Sequence, residues 1–551
     1  MDPAPTTPSR GMTDGIGRAS AFLASGTIVS RILGFVKAIV LASTIGAAGA
    51  GANAFAVANQ LPNTIYVVVA GGVLSAVIVP LIVRAATHED GGAAYINKLI
   101  TLGIVVLGAA TVLATALAPV LTFLVGGTRM SQSTLALAIG FAWWCLPQIF
   151  FYGLYSLLGE VLNARRVFGP FTWVPVLNNV VALLGLVAMI LAYGADPGGT
   201  RAASDWTSGM IALLAGTATL GVASQALILF VFWRRAGLRY RPDFAWRGIG
   251  LRHTGKLAGW TFGMLLLTTF AGIVETNVTG VSADQSDQAS VAVLQNAWLI
   301  FMLPHSVITV SIATAYFTRM SEHAALGEID RVRYDMSSAV RGVSLIIMIA
   351  AAGLMVVAYP FASFFTDDFT LTSAMGNVII AYVAGLVGFS VLFIAQRTFY
   401  ALHDTRTPFV FTLVQVVLFT LGALACLTLP SEWTAFGIAV VTTLAGTVQL
   451  IVALALLRRR IERLDGRAIL ASFGRSLAAL VLPVAAGVAL LIAFGGTTPG
   501  GYAISSIVGA IVSMTVIGVV MSALYFAGLW LLRSPELRGF AEPLVSRLRR
   551  G

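Results

Sequence analysis

Ser30-Arg31-Ile32-Leu33-Gly34-Phe35-Val36-Lys37 lies inside the first long apolar stretch of the chain, which runs from about Ala19 to Gly46. A guanidinium and an ammonium therefore stand within a segment long enough to cross a bilayer, which takes about 20 mostly apolar residues. A cation near the bilayer centre costs roughly 2.5–3.5 kcal/mol on insertion scales, so it faces a protein interior or a watered cavity and needs an anionic or dipolar partner. That partner is either a neighbouring helix or a substrate, and the run alone leaves both open.

The rest of the sequence has the same character. Of 551 residues, 58% are hydrophobic and only 10% charged, with a mean hydropathy of +0.89, which excludes an ordinary soluble domain. The apolar runs are continuous and do not alternate, so they predict membrane helices and not a barrel. Met1 to Arg18, with Pro3, Pro5 and Pro8, is polar and lacks an apolar core, and reads as a short tail and not a cleavable signal. Cys145 and Cys426 both lie in apolar runs, which supports neither a disulfide framework nor a zinc site. The net charge of +11 is explained by basic cytoplasmic loops without any nucleic acid.

Apolar runs separated by polar breaks predict an all-α polytopic protein of about fourteen transmembrane helices. Connections after even-numbered spans carry most of the cations, such as Arg165 and Arg166, Arg234 to Lys256, Arg319 to Arg341, and Arg458 to Arg475. Those after odd-numbered spans carry Asp196, Asp205, Asp284, Asp287, Asp367, Asp368 and Glu432. The positive-inside rule then places the basic side, and both chain ends, in the cytoplasm.

A helix end, a charged turn and a Pro that starts the next helix recur around Pro170 and Pro408, and the pair Leu61-Pro62 recurs as Leu303-Pro304. This predicts two six-helix lobes in parallel repeat, with a binding site at their interface. The expected division is a tail over 1–18, a first lobe over 19–233, a basic linker over 234–254 and a second lobe over 255–457. A basic loop over 458–469, two further helices over 470–532 and a tail over 533–551 complete it.

No Walker-type phosphate loop, metal-ligand spacing or Ser-His-acid arrangement is present, so the sequence predicts neither an enzyme nor a metal site. What remains is polarity inside the membrane. Arg31 is the strongest candidate for an anion; Lys37 lies about a third of a turn away around the helix and is free to snorkel. Glu275 is the only carboxylate near mid-membrane, a candidate counter-ion of Arg31 or a coupling group. His305 reads more readily as a satisfied core residue than as a functional one. Gly34, Pro62, Gly71, Gly72 and Pro304 mark candidate hinges or cavity-lining positions.

Several motifs together resemble the lipid II flippase family called MurJ or MviN, within the multidrug, oligosaccharidyl-lipid and polysaccharide exporter superfamily. They are the Ser30 to Lys37 run; Ala54-Phe55 followed by Leu61-Pro62-Asn63; Gly72 with Ser75 and Pro80; Leu162-Asn163-Ala164 before Pro170; and Phe399 to Pro408. The resemblance implies a transporter of the bacterial cytoplasmic membrane that moves an undecaprenyl-pyrophosphate-linked peptidoglycan precursor to the outer leaflet by alternating access. It implies substrate contact by Ser30, Arg31, Lys37 and Asn53, coupling to membrane potential or a monovalent cation without any other cofactor, and association with cell-wall synthesis or division proteins. The Ala-Trp-Leu segment at 297–299 and the Gly- and Ala-rich composition resemble actinobacterial members. Asn53, Tyr66, Trp298 and Leu299 stand where many members carry Asp, Arg, Asp and Arg, so cavity charge is expected to be sparse. A polysaccharide or drug exporter of the same superfamily, and a non-transporting scaffold for cell-wall enzymes, are the alternatives.

Overall fold

The computed structural model describes residues 10–69, 93–127, 129–165, 167, 169–235, 237, 239–245 and 255–538. Gly71, Gly72 and Pro80, together with the outermost parts of both tails and most of the second half of the 234–254 linker, lie outside them. Every regular element among the described residues is helical. The first group comprises α1 (Arg10–Ile45), α2 (Ala50–Val69), α3 (Ala93–Ala116), α4 (Ala118–Gly126), α5 (Gln132–Cys145), α6 (Gln148–Ala164), α7 (Gly169–Tyr193) and α8 (Ser208–Arg235). The second begins with α9 (Gly255–Thr279) and α10 (Val291–Pro304), which continues through a π-helical turn at His305–Thr309 into α11 (Val310–Ala325). It goes on with α12 (Ile329–Val356), α13 (Ala358–Ala362), α14 (Phe369–Val383), α15 (Leu386–Ala401), α16 (Arg406–Ala425) and α17 (Ser431–Ile461). The chain then adds α18 (Gly466–Ala493) and α19 (Ile507–Leu531).

Thirteen helical segments among the described residues are long and apolar enough to cross a membrane. The remaining predicted span, the second, is represented by α2, whose described part stops at Val69. The helix runs on through Pro62, which is buried within it.

Repetition is clearer in the backbone than in the sequence. The third span breaks between α3 and α4 at Leu117, with φ −90° and ψ 12°, just before Pro119; the ninth breaks between α12 and α13 at Val357, with φ −94° and ψ 17°, just before Pro360. A proline has no N–H to offer the preceding turn, so each break falls where the ladder is already interrupted. The fourth span bends at Leu146-Pro147 and the tenth at Ala384-Gly385, again in equivalent places.

In the first group α1 packs on α7, α7 on α8, α2 on α5, and α6 on α3 and α8. In the second α9 packs on α16, α14, α15 and α16 on α17, and α12 on α11 and α15; the pair α18–α19 docks on α12. Each group has its own apolar core, centred on residues such as Phe141 and Val57 in one and Ile347 and Val378 in the other.

The connections carrying the acidic residues gather at one end of the two bundles. Asp196 donates its N–H to the Thr44 carbonyl, and Gly199, at φ +62°, lies so close that a Cβ there would meet the Ala48 carbonyl at 2.1 Å. At the opposite, basic end several arginines are matched with carboxylates. Arg319 reaches buried Asp335 at 2.8 Å, Arg331 reaches Glu328 at 3.1 Å, and Arg341 and Arg475 converge on Glu536 at 3.4 and 3.3 Å.

Candidate functional site: the cleft between the bundles

At the acidic end the bundles are joined by a seam of amides and backbone groups. The sequence places Asn53 in the first turn of α2, where it is fully buried. Its Nδ2 donates to the Ala283 carbonyl at 2.9 Å and its Oδ1 accepts the Ala292 N–H at 2.9 Å, so one side chain satisfies two backbone groups of the other bundle. Asn277, near the end of α9, donates to the carbonyls of Leu124 and Val125, both at 2.9 Å, where α4 runs out of helical partners. Gly127 makes room for this contact. It sits at φ +72°, and a Cβ there would fall 1.8 Å from Asn277 Oδ1. Asp284 closes the seam by accepting from the Ser131 N–H at 3.3 Å, the Ser131 hydroxyl at 2.8 Å and the Thr134 hydroxyl.

Along α2, α9 and α10, away from this seam, the bundles separate around a cavity of about 750 Å³. The first bundle contributes Asn59, Gln60, Asn63, Thr64 and Tyr152; the second contributes Glu275, Thr276, Gln295, Trp298, Leu299, Tyr382 and Gln415 among others. The last bond across it before it widens is Gln295 Nε2 to Gln60 Oε1 at 2.8 Å. A second cavity of about 450 Å³ penetrates the second bundle and shares Thr268, Trp298, Tyr382, Gln415 and Thr442 with the first.

Glu275 is the one charged residue lining the central cavity among the described residues. Its Oε1 accepts the Tyr382 hydroxyl at 3.2 Å, and no Lys or Arg stands within ion-pair distance of it among the described residues. Trp298 stacks on Phe301 with ring centroids 4.7 Å apart and meets Tyr382 edge-on at 5.5 Å. The two positions where the resemblance anticipates an Asp-Arg pair are therefore an aromatic and an aliphatic wall of the cavity. Tyr66, the third neutral position, stacks obliquely on Tyr152 at 5.8 Å.

The two cations of α1 do not share a face. Arg31 lies one turn before Phe35, whose ring contacts Phe361, Phe364 and Phe365 of the second bundle, so this stripe looks across the cleft. It is half-buried and makes no ion pair or hydrogen bond among the described residues. Lys37 instead follows Ser30 and Gly34 by whole turns. Along that stripe Ser30 accepts Asn179 Nδ2 of α7 through its carbonyl at 2.9 Å, and Gly34 abuts the same Asn179. Neither cation lines the 750 Å³ cavity.

The descriptive model of the lipid II flippase MurJ family matches residues 41–527. This chain belongs to that family. The probable lipid II flippases MurJ of Haemophilus influenzae and Vibrio cholerae are 28% and 26% identical to it, over 69% and 71% of this chain and 75% and 74% of their own length. A solved lipid II flippase MurJ in an inward closed conformation superposes with a TM-score of 0.68 at 18% identity, covering 92% of this chain and 99% of that one. An inward-facing multidrug resistance MATE family transporter follows at 0.62 and 15% identity, covering 79% and 96%. The MurJ family is one of membrane flippases, so the thirteen apolar helices belong to a multi-pass protein of the cytoplasmic membrane.

Of the other residues singled out by sequence, His305 is buried at the π-helical turn after Pro304, with Ser390 Oγ 3.2 Å from its Nδ1 and Phe389 and Phe393 against its ring. It is a satisfied core residue. Sequence reasoning passed over Gln60, Tyr152, Gln295 and Tyr382. The available signal was the repeat of Asn59, Gln60, Asn63 and Thr64 at one-turn spacing, which draws a polar face along an otherwise apolar span.

Proposed function

We propose that this MurJ-family chain flips lipid-linked peptidoglycan precursor, lipid II, from the inner to the outer leaflet by rocking two bodies, 19–233 and 255–457, about the cleft. The basic end faces the cytoplasm, as the distribution of Arg and Lys requires. The observation that carries this reading is the asymmetry of the cleft: sealed at the acidic end by Asn53, Asn277 and Asp284, and open around a cavity beyond Gln60 and Gln295.

A pyrophosphate entering from the basic end needs fixed donors to replace its hydration. Arg31 supplies a planar, permanently charged fork on the helix face turned to the second bundle. Lys37, Ser30 and Asn179 support α1 from behind. The amides of α2 and the aromatic wall of Trp298 and Tyr382 suit the neutral parts of the cargo, while its hydrocarbon tail stays in lipid. With Asn53, Tyr66, Trp298 and Leu299 uncharged, recognition of the anion leans on the first span. Outward movement of the anion is assisted by the membrane potential, worth about 2.3 kcal/mol per charge per 100 mV. Glu275, which accepts the Tyr382 hydroxyl, is the group through which a proton or a monovalent cation enters the cycle.

Depleting the resident flippase of a bacterium and expressing this chain tests the reading. Survival together with outward exposure of lipid II supports it. Export of a cationic dye that depends on Glu275, without lipid II exposure, overturns it in favour of a drug exporter.

A further inference from the structure

Where α8 ends, the first bundle carries another concave site, apart from the cleft between the bundles. The chain leaves Arg235 and is strapped back across α3: the Tyr240 hydroxyl lies 3.1 Å from Thr101 Oγ1, the Arg241 N–H donates to Asn97 Oδ1 at 3.3 Å, and the Asp243 N–H donates to Thr101 Oγ1 at 3.0 Å. Strap and helix enclose a cavity of about 840 Å³ lined by Phe230, Trp233, Arg234, Arg239, Tyr240 and Arg241.

Elsewhere at the basic end five arginines are matched to acids, Arg319 to Asp335, Arg331 to Glu328, Arg333 to Asp330, and Arg341 and Arg475 to Glu536, whereas others such as Arg458 and Arg459 have no carboxylate partner among the described residues. Arg234, Arg239 and Arg241 have no carboxylate partner among the described residues. Asp243, the acid of the strap, accepts the N–H of Ala245 instead. The indole Nε1 of Trp233, a residue only 2% exposed, has no hydrogen-bond partner among the described residues, although the residue borders the cavity. A buried donor of this kind is normally satisfied by a water or a ligand oxygen.

We infer that this pocket binds the phosphate headgroup of an anionic membrane lipid. Three guanidiniums in a concave site match a phosphate's charge and acceptor geometry. Trp233 and Tyr240 sit at the end of a membrane span, the depth at which aromatic side chains meet headgroups. Arg234 also continues a helix stripe with Val231 and Leu227, 45% and 51% exposed, which gives an acyl chain an apolar track that a soluble phosphate would leave unused. The inference goes beyond the flippase reading and does not depend on it.

Native mass spectrometry of the full chain, released from detergent with equal phosphatidylglycerol and phosphatidylcholine, tests it. The wild type retains phosphatidylglycerol preferentially. Arg239→Gln with Arg241→Gln weakens that retention about tenfold or more, taking roughly one kcal/mol per cation. Arg458→Gln with Arg459→Gln, an equal charge loss at the end of α17, leaves it unchanged. Both lining arginines are exposed and Arg241 uses its backbone in the strap, so the fold is retained; Arg234→Gln provides a second variant and must move retention the same way. Equal binding of the two lipids, equal loss in the α17 pair, or full retention in the lining variants overturns the site. Binding of inorganic phosphate without any preference for the anionic lipid assigns it to a soluble anion and overturns the lipid reading.

Discussion

The seam and the cavity share three helices, α2, α9 and α10, yet they treat polarity in opposite ways. In the seam each polar side chain is consumed: Asn53 and Asn277 spend their amides on backbone groups of the opposite bundle. In the cavity, Asn59, Asn63 and Gln415 line open space, and the Glu275 carboxylate has one hydroxyl for company among the described residues. The difference lies in where the helices end. At the acidic end the backbone has unpaired carbonyls and N–H groups that amides can satisfy, whereas mid-helix the backbone is self-sufficient and leaves side chains to a ligand. A latch made of neutral hydrogen bonds is also strong enough to hold and weak enough to release, because each bond contributes only about 0.5–1.5 kcal/mol net.

The largest expected effect comes from Asn53→Leu. It strands a buried carbonyl and a buried N–H, at about 1–3 kcal/mol each, and should shift the protein towards opening at the acidic end. In a background lacking Cys145 and Cys426, a cysteine at Ala292 should then become reactive to a membrane-impermeant thiol reagent; unchanged protection would remove Asn53 from the latch. Gly127→Ala comes next, since the residue combines positive φ with a Cβ against Asn277, a strain of about 1–3 kcal/mol that should raise the same labelling rate. A Gly127→Ala variant as protected as wild type would show that the contact gives way cheaply. Asp284→Asn should act in the same direction but more weakly, because the amide still accepts a hydrogen bond from Ser131 or Thr134.

The smallest effect serves as a control away from both regions. Burial would raise the Glu536 carboxyl, but hydrogen bonds from its own backbone, Ser534 and Ser472, together with the Arg475 guanidinium, hold it below the usual carboxylate range. A depressed group contributes stability above its unfolded pKa and loses it as pH falls through the folded value. Protection of the segment after α19 against proteolysis should therefore drop as pH falls below the usual carboxylate range in wild type and change less in Glu536→Gln, with the seam unaffected in both. A seam that opens with it would mean that the α18–α19 pair and the bundles are one cooperative unit.

Much of the fold was legible in the sequence, because hydropathy and loop charge depend only on the bilayer. The second bundle's His305 was likewise readable as core from its isolation. The internal repeat was faint residue by residue, since what is repeated is the place of a backbone break, Leu117 and Val357, which different residues can produce. The site was less legible. Arg31 and Lys37 are neighbours in sequence, but only the packing of α7 on one stripe and of Phe361 on another reveals that they look in different directions. Asn53 reads as a binding residue by position in the family motif, and the structure places both of its amide atoms in the seam. No local pattern distinguishes an amide that meets a partner from one that meets a cavity.

Of the two cations within the apolar part of α1, Arg31 is the one on the face turned across the cleft, and the proposed recognition of substrate rests on it. In the flippase-depleted host, outward exposure of lipid II measured for wild type, Arg31→Ala and the loop control Arg458→Ala decides the matter. Exposure lost at least tenfold in Arg31→Ala and kept in Arg458→Ala is the predicted result. Wild-type exposure in Arg31→Ala, with equal protein in the membrane, would contradict it.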